Sequence, residues 1–137
     1  MPHELLDHTA EIGLRAEADT LAGVFEELCV GLFSLITDPT TVRTERTWEV
    51  ELTAPDLVAL AVEWLNELLY LNGRDGMVAA SCEILEVSPS HLRARIHGEV
   101  FDPERHPRGI EVKAATYHQA RVEQEDDRWV AVVYLDV

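Results

Sequence analysis

The stretch Trp129–Leu135, WVAVVYL, is apolar at almost every position. Such a run reads as a strand covered on both faces, because a strand with one wet face alternates apolar with polar residues. Asp136 stands at its very end, followed by Val137. A carboxylate leaving a buried strand needs a hydrogen-bond partner, a cation or water, since an unpaired buried charge is very costly. Glu11, in the block Asp7-His8-Thr9-Ala10-Glu11-Ile12-Gly13, is the companion to expect.

Around that block, Ile12, Leu14, Ala16 and Ala18 alternate with Arg15, Glu17 and Asp19, which is strand spacing. An earlier start would put Asp7, Thr9 and Glu11 together on the opposite face, and Gly13 permits a bulge or a close backbone approach. Thr20 is a good N-cap for a helix running to about Ile36, with Leu21, Val24, Phe25, Leu28, Leu32, Leu35 and Ile36 at helical steps. Thr37-Asp38-Pro39 ends it. A strand is predicted over 46–53, where Trp48, Val50 and Leu52 alternate with charged and polar neighbours. A second helix begins at Pro55, carries an apolar stripe from Leu57 to Leu69, and stops near Asn72-Gly73. Strands follow at about 77–87, 91–100, 116–124 and 128–136, with hairpin turns at 88–90 and 125–127. Residues 101–115 form a polar, proline-containing loop. No linker or repeat interrupts the chain, so residues 1–137 read as one domain: an α+β sandwich of mostly antiparallel sheet with two main helices.

The composition is globular, with 47% hydrophobic and 27% charged residues. No apolar run is long enough to span a bilayer and no signal peptide is evident, which places the protein in the cytoplasm. Cys29 and Cys82 sit among apolar neighbours and read as two buried thiols in a reducing compartment. With 26 acidic against 11 basic residues, net −15, the chain is a poor direct ligand for RNA or DNA. That charge suits a cation, or docking on a basic protein surface. Lys113 is the only lysine.

No phosphate loop, dinucleotide fingerprint or nucleophile elbow occurs, and neither cysteine lies in an activating context. His8 and His118 are the histidines nearest to polar strand edges, yet none has zinc-helix spacing. Glu63, Asn66 and Glu67 flank Trp64 and read most simply as a solvated helix face. The stronger constellation is all oxygen: Asp7, Glu11, Asp136 and the terminal carboxylate or carbonyl of Val137 form a donor set for a hard cation such as calcium or magnesium. On spacing alone, pairing of Asp136 with an arginine or a backbone N–H is the simpler alternative.

Six segments, in order, resemble the archease family, accessory proteins of RtcB-type RNA-splicing ligases. They are Asp7–Gly13, against a family pattern Asp-His-Thr-Ala-Asp-Ile-Gly; Leu32–Asp38; Glu63–Tyr70 (EWLNELLY); Gly98–Pro103 (GEVFDP); Glu111–Ala114 with Thr116-Tyr117-His118; and the final Asp136-Val137. The resemblance implies a non-catalytic protein that promotes guanylylation and repeated turnover of the ligase in tRNA splicing and RNA repair. It implies a divalent-metal site, often described with calcium, at Glu11, Asp136 and Val137. It marks Lys113, with Glu111 and Asp7, for contact with the ligase or its nucleotide. Glu11 departs from the family's Asp, and its extra methylene extends the carboxylate by roughly 1.5 Å, a change calcium absorbs better than magnesium. A chaperone-like module for another RNA-processing enzyme, such as a tRNA methyltransferase, is the alternative. An independent metallohydrolase has no general base placed by any spacing.

Overall fold

The computed structural model describes residues 10–137. Its elements are β1 (Glu11–Ala18), α1 (Leu21–Ile36), a short 3-10 turn (Pro39–Thr41), β2 (Arg46–Thr53), α2 (Leu57–Asp75), β3 (Met77–Ser88), β4 (His91–Val100), β5 (Ala114–Glu125) and β6 (Arg128–Asp136). The strands form two three-stranded antiparallel sheets, ordered β1-β6-β5 and β2-β4-β3. Helix α1 packs on β1 and β6 of one sheet and β3 of the other, and α2 likewise packs on strands of both sheets. Among the described residues, strands of one sheet meet the other sheet only through the helices. The helix pair is therefore a layer between two sheets, in the expected α+β class.

This layering explains why the helices are apolar well beyond a single stripe. Val24, Phe25, Leu28, Cys29, Leu32 and Phe33 of α1 and Leu60, Ala61, Val62, Trp64, Leu65 and Leu68 of α2 are fully buried. Each helix must satisfy two sheets. The indole of Trp64, sealed in the core, donates to the Phe25 carbonyl at 2.9 Å and so ties the helices together.

The caps account for the element boundaries. Thr20 accepts from the Gly23 amide to open α1, and Thr37 closes it through its N–H to the Phe33 carbonyl. Two expectations shift at α2. The helix begins at Leu57 rather than at Pro55, with Asp56 as its N-cap accepting from the Ala59 amide at 2.8 Å. The helix runs past Gly73 to Asp75, because the left-handed cap falls on Gly76 at φ 71°. Asn72 there donates to the Met77 carbonyl rather than ending the helix. Strand β5 begins at Ala114 rather than 116. Its hairpin to β6 turns on Asp126 and Asp127, both at positive φ as a tight two-residue turn requires.

Strand β6 is the central strand of its sheet. Ala131, Val133 and Leu135 join the helix-filled core, while Val130 and Val132, equally buried, face the other way and lie outside it. Among the described residues no helix covers that outer face. In register, Val132 lies between Arg15 and Arg121, and Val130 between Glu17 and Glu123. Long side chains in these flanking positions can lay their aliphatic stems over the valines. Gly13 makes no bulge. It is the place where the Tyr134 ring crosses β1, a Cβ there lying 3.1 Å from the ring.

Candidate functional site

The register of β1 on β6 sets Glu11 directly opposite Asp136. The Val137 amide donates to the Ala10 carbonyl at 3.0 Å, so residues 10 and 137 form the hydrogen-bonded pair of the antiparallel ladder. Glu11 and Asp136 are then the adjacent non-hydrogen-bonded pair, in which side chains approach most closely. They share the outer face, since Ile12 and Leu135 beside them face the core. On the other flank, Ala114 pairs with Asp136, and the Lys113 amide donates to the Asp136 carbonyl at 2.8 Å. The two distant segments of the chain and the only lysine thus meet at one end of one sheet, where β6 finishes between β1 and β5.

Directly opposed like charges destabilise a sheet unless something compensates them. Among the described residues, neither Glu11 nor Asp136 enters an ion pair, so of the two simpler partners for Asp136, an arginine or a backbone N–H, the arginine is not found there. Two facing carboxylates with neighbouring backbone oxygens are a donor set that suits a hard cation. Among the described residues no cluster of three His, Cys, Asp or Glu side chains stands ready to hold a metal. Asp7, like His8, lies outside the described residues.

Edge strand β5 is locked in place by α2. Asn66 donates to the Ala115 carbonyl at 3.1 Å and accepts from the Ala115 amide at 2.8 Å, so its amide stands in for a missing neighbour strand. Glu63 accepts from the Tyr117 hydroxyl at 2.5 Å. The expected solvated face of α2 is therefore a clamp that holds β5, and with it Lys113 and Ala114, beside Asp136. Beyond the clamp β5 breaks register between Thr116 and Arg121, with Gln119 at positive φ. Such a bulge blunts a free sheet edge against pairing with other chains. His118 is exposed on it.

Glu111 does not join the carboxylate pair. It lines a separate cleft of about 380 Å³, with Ile36, Asn72, Gly76, Phe101, Arg108, Gly109, Ile110 and Val112. The cleft exists because the 101–112 loop is pinned to the end of α1. The Gly109 and Ile110 amides donate to the Ile36 and Leu35 carbonyls, both at 2.8 Å. Only glycine fits at 109, where a Cβ would lie 2.0 Å from the Leu35 oxygen. The Arg108 guanidinium rests 5.0 Å from the Phe101 ring centroid.

Beneath the same loop is a buried polar group that the sequence did not single out. Glu99 and His106 are 3% and 1% exposed. The Asp102 amide donates to His106 Nδ1 at 2.8 Å, so Nε2 carries the ring proton and donates to Glu99 Oε1. Arg105 donates to the same oxygen. The Arg105 guanidinium, helped by His106 and opposed by burial, lowers the Glu99 carboxyl to about 2. Arg105 and His106 belong to an aperiodic loop, where hydrophobic patterning carries no signal, and Glu99 sits near the end of β4. Of the thiols, Cys29 is buried and Cys82 only partly so, and neither is bridged. The neighbouring Cys82 thiol, with burial, raises the Cys29 thiol well above its usual value.

A sheet–helix–sheet α+β fold carrying a carboxylate pair at one end of a sheet defines the class. A family model described as the Archease protein family (MTH1598/TM1083) matches residues 3–137. Protein archease of Methanopyrus kandleri is 41% identical over the full length of both chains. That of Pyrococcus furiosus is 36% identical, over 98% of this chain and 97% of its own. The solution structure of Methanobacterium thermoautotrophicum protein 1598 superposes with a TM-score of 0.77 at 32% identity, covering 96% of each chain. The crystal structure of an archease, described as a possible chaperone, from Thermotoga maritima gives a TM-score of 0.70 at 16% identity and shares the fold. The chain belongs to the archease family.

Proposed function

We propose that this protein is a non-catalytic activator of an RtcB-type RNA ligase, promoting the ligase's guanylylation and multiple turnover in tRNA splicing and RNA repair in the cytoplasm. The observation that carries the reading is the opposed Glu11–Asp136 pair, backed by the Lys113 backbone. Glu11, Asp136 and an oxygen of Val137 would hold a divalent ion, calcium before magnesium because a glutamate and backbone oxygens make an irregular set. A bound ion would offset the two carboxylates and present positive charge to phosphate. Lys113 offers its ammonium to phosphate as a charge-assisted donor, and Asp7 and Glu111 contact the ligase.

The test is single-turnover guanylylation of a cognate ligase. Glu11→Ala, Asp136→Asn and Lys113→Ala are each expected to reduce stimulation, and wild-type stimulation by all three would refute the mechanism. Calorimetric titration of metal-stripped protein separates the ion from the contact. Calcium is expected to bind the wild type and to fail with Asp136→Asn; binding restored only in Glu11→Asp would mean that Glu11 has cost this chain the site. The description of the Thermotoga protein as a possible chaperone favours a second reading, protection of a basic RNA-processing enzyme such as a tRNA methyltransferase. Stimulation that needs neither GTP nor the residues at the end of the sheet would select it.

A further inference from the structure

We infer that the cleft beneath the 101–112 loop is a docking pocket for an arginine side chain of a protein partner, and that Arg108 occupies its seat when no partner is present. The cleft lies where both helices end: Ile36 closes α1 and Gly76 caps α2, and both line it. Helix C-termini carry partial negative charge, so two of them converging favour a cation. Glu111 adds an exposed carboxylate to the same wall. The Asn72 amide, whose nitrogen is used on the Met77 carbonyl, leaves its oxygen as an acceptor.

Phe101 supplies the floor. A guanidinium stacks on an aromatic face better than an ammonium does, because it is planar and weakly hydrated. Arg108 already shows that pose, 5.0 Å from the Phe101 centroid, and among the described residues it pairs with no carboxylate within 4.0 Å. Among the described residues the contact that holds it is the Phe101 ring, which an incoming arginine with access to Glu111 would outcompete. Exposed Ile110 lines the cleft and exposed Val100 lies beside Gly76, apolar surface of the kind that excludes water from an anchor. A cleft of about 380 Å³ is at the small end of ligand sites and fits one side chain rather than a helix or a strand. The net charge of −15 selects basic partners over acidic ones.

The inference rests on the reading of this protein as one that works by docking on another, but its test contains no ligase, so the two fail separately. The probe is N-acetyl-arginine methylamide, titrated into the full chain and followed by amide chemical shifts. Saturable shifts are expected at Gly76 and at residues 109–112. Glu111→Gln should weaken the probe about threefold, the scale of an exposed charge pair. Arg108→Ala should tighten it by a similar factor by vacating the ring, about threefold for an exposed cation–π contact. Both positions are exposed, so both variants should fold. Shifts scattered over other acidic surfaces, or unchanged by both substitutions, would overturn the assignment. So would preferential binding of N-acetyl-glutamate methylamide that is lost in Arg108→Ala, which would make the cleft an anion site.

Discussion

At the scale of single residues, the sharpest consequence concerns Glu99 rather than the residues at the end of the sheet. Its carboxyl stands at about 2, against an ordinary 4.5, because Arg105 and then His106 donate to it. A carboxylate whose folded value is depressed stabilises the fold above its unfolded value and loses that contribution as pH falls through the folded one. Glu99 therefore supports the fold fully above about pH 4.5 and ceases to do so near pH 2. Glu99→Gln removes a charged acceptor from the buried His106 and the half-buried Arg105 and is expected to cost about 2 kcal/mol at pH 7. The gap from wild type should narrow as pH drops from 4.5 toward 2. Chemical denaturation at several pH values checks it, and a gap independent of pH would mean that the carboxylate's charge is not what holds the loop. Glu11 and Asp136, by contrast, were legible as partners before any fold was known. An apolar strand that ends in Asp demands a partner, and the alternation after Glu11 places that residue on the wet face.

At the scale of elements, the decisive contact is Asn66 on Ala115. Two hydrogen bonds from one side chain anchor the start of an edge strand whose pairing with β6 is interrupted between Thr116 and Arg121. Asn66→Ala should destabilise the protein by about 2 kcal/mol, two ordinary hydrogen bonds' worth. The Ala115 amide, now facing solvent, should exchange its proton faster than other amides of β5. Unaltered exchange there would show that β6 holds β5 unaided. Helical periodicity located α2 and its apolar residues correctly, but it read Glu63 and Asn66 as solvated because pattern cannot see a strand that arrives some fifty residues later. The same limit moved the end of α2: Asn72-Gly73 has the composition of a cap, and only the descent into Met77 makes Gly76 the residue that must take positive φ.

At the scale of the whole molecule, charge is the dominant property. With a net charge of −15, association with a basic partner should be steered electrostatically. Raising ionic strength from about 0.01 M to about 0.15 M shortens the screening length from about 30 Å to about 8 Å, so the association rate with a basic protein partner should fall steeply while dissociation changes little. Stopped-flow or surface-binding kinetics across that range would show it, and a salt-independent association rate would remove charge from the recognition. Among the described residues no helix is long and apolar enough to cross a membrane. The sequence by itself determined the strands and helices to within a few residues, the α+β class and the two segments that must meet, because local periodicity and a stranded carboxylate are properties of neighbours along the chain; the family was legible from six motifs in order, not from periodicity. Only the tertiary structure decided that the helices lie between two sheets, that Asn66 clamps β5, that Glu111 lines a cleft rather than the carboxylate pair, and that Glu99 and His106 are buried together. Those facts depend on which distant segments share a face, and no local pattern encodes that.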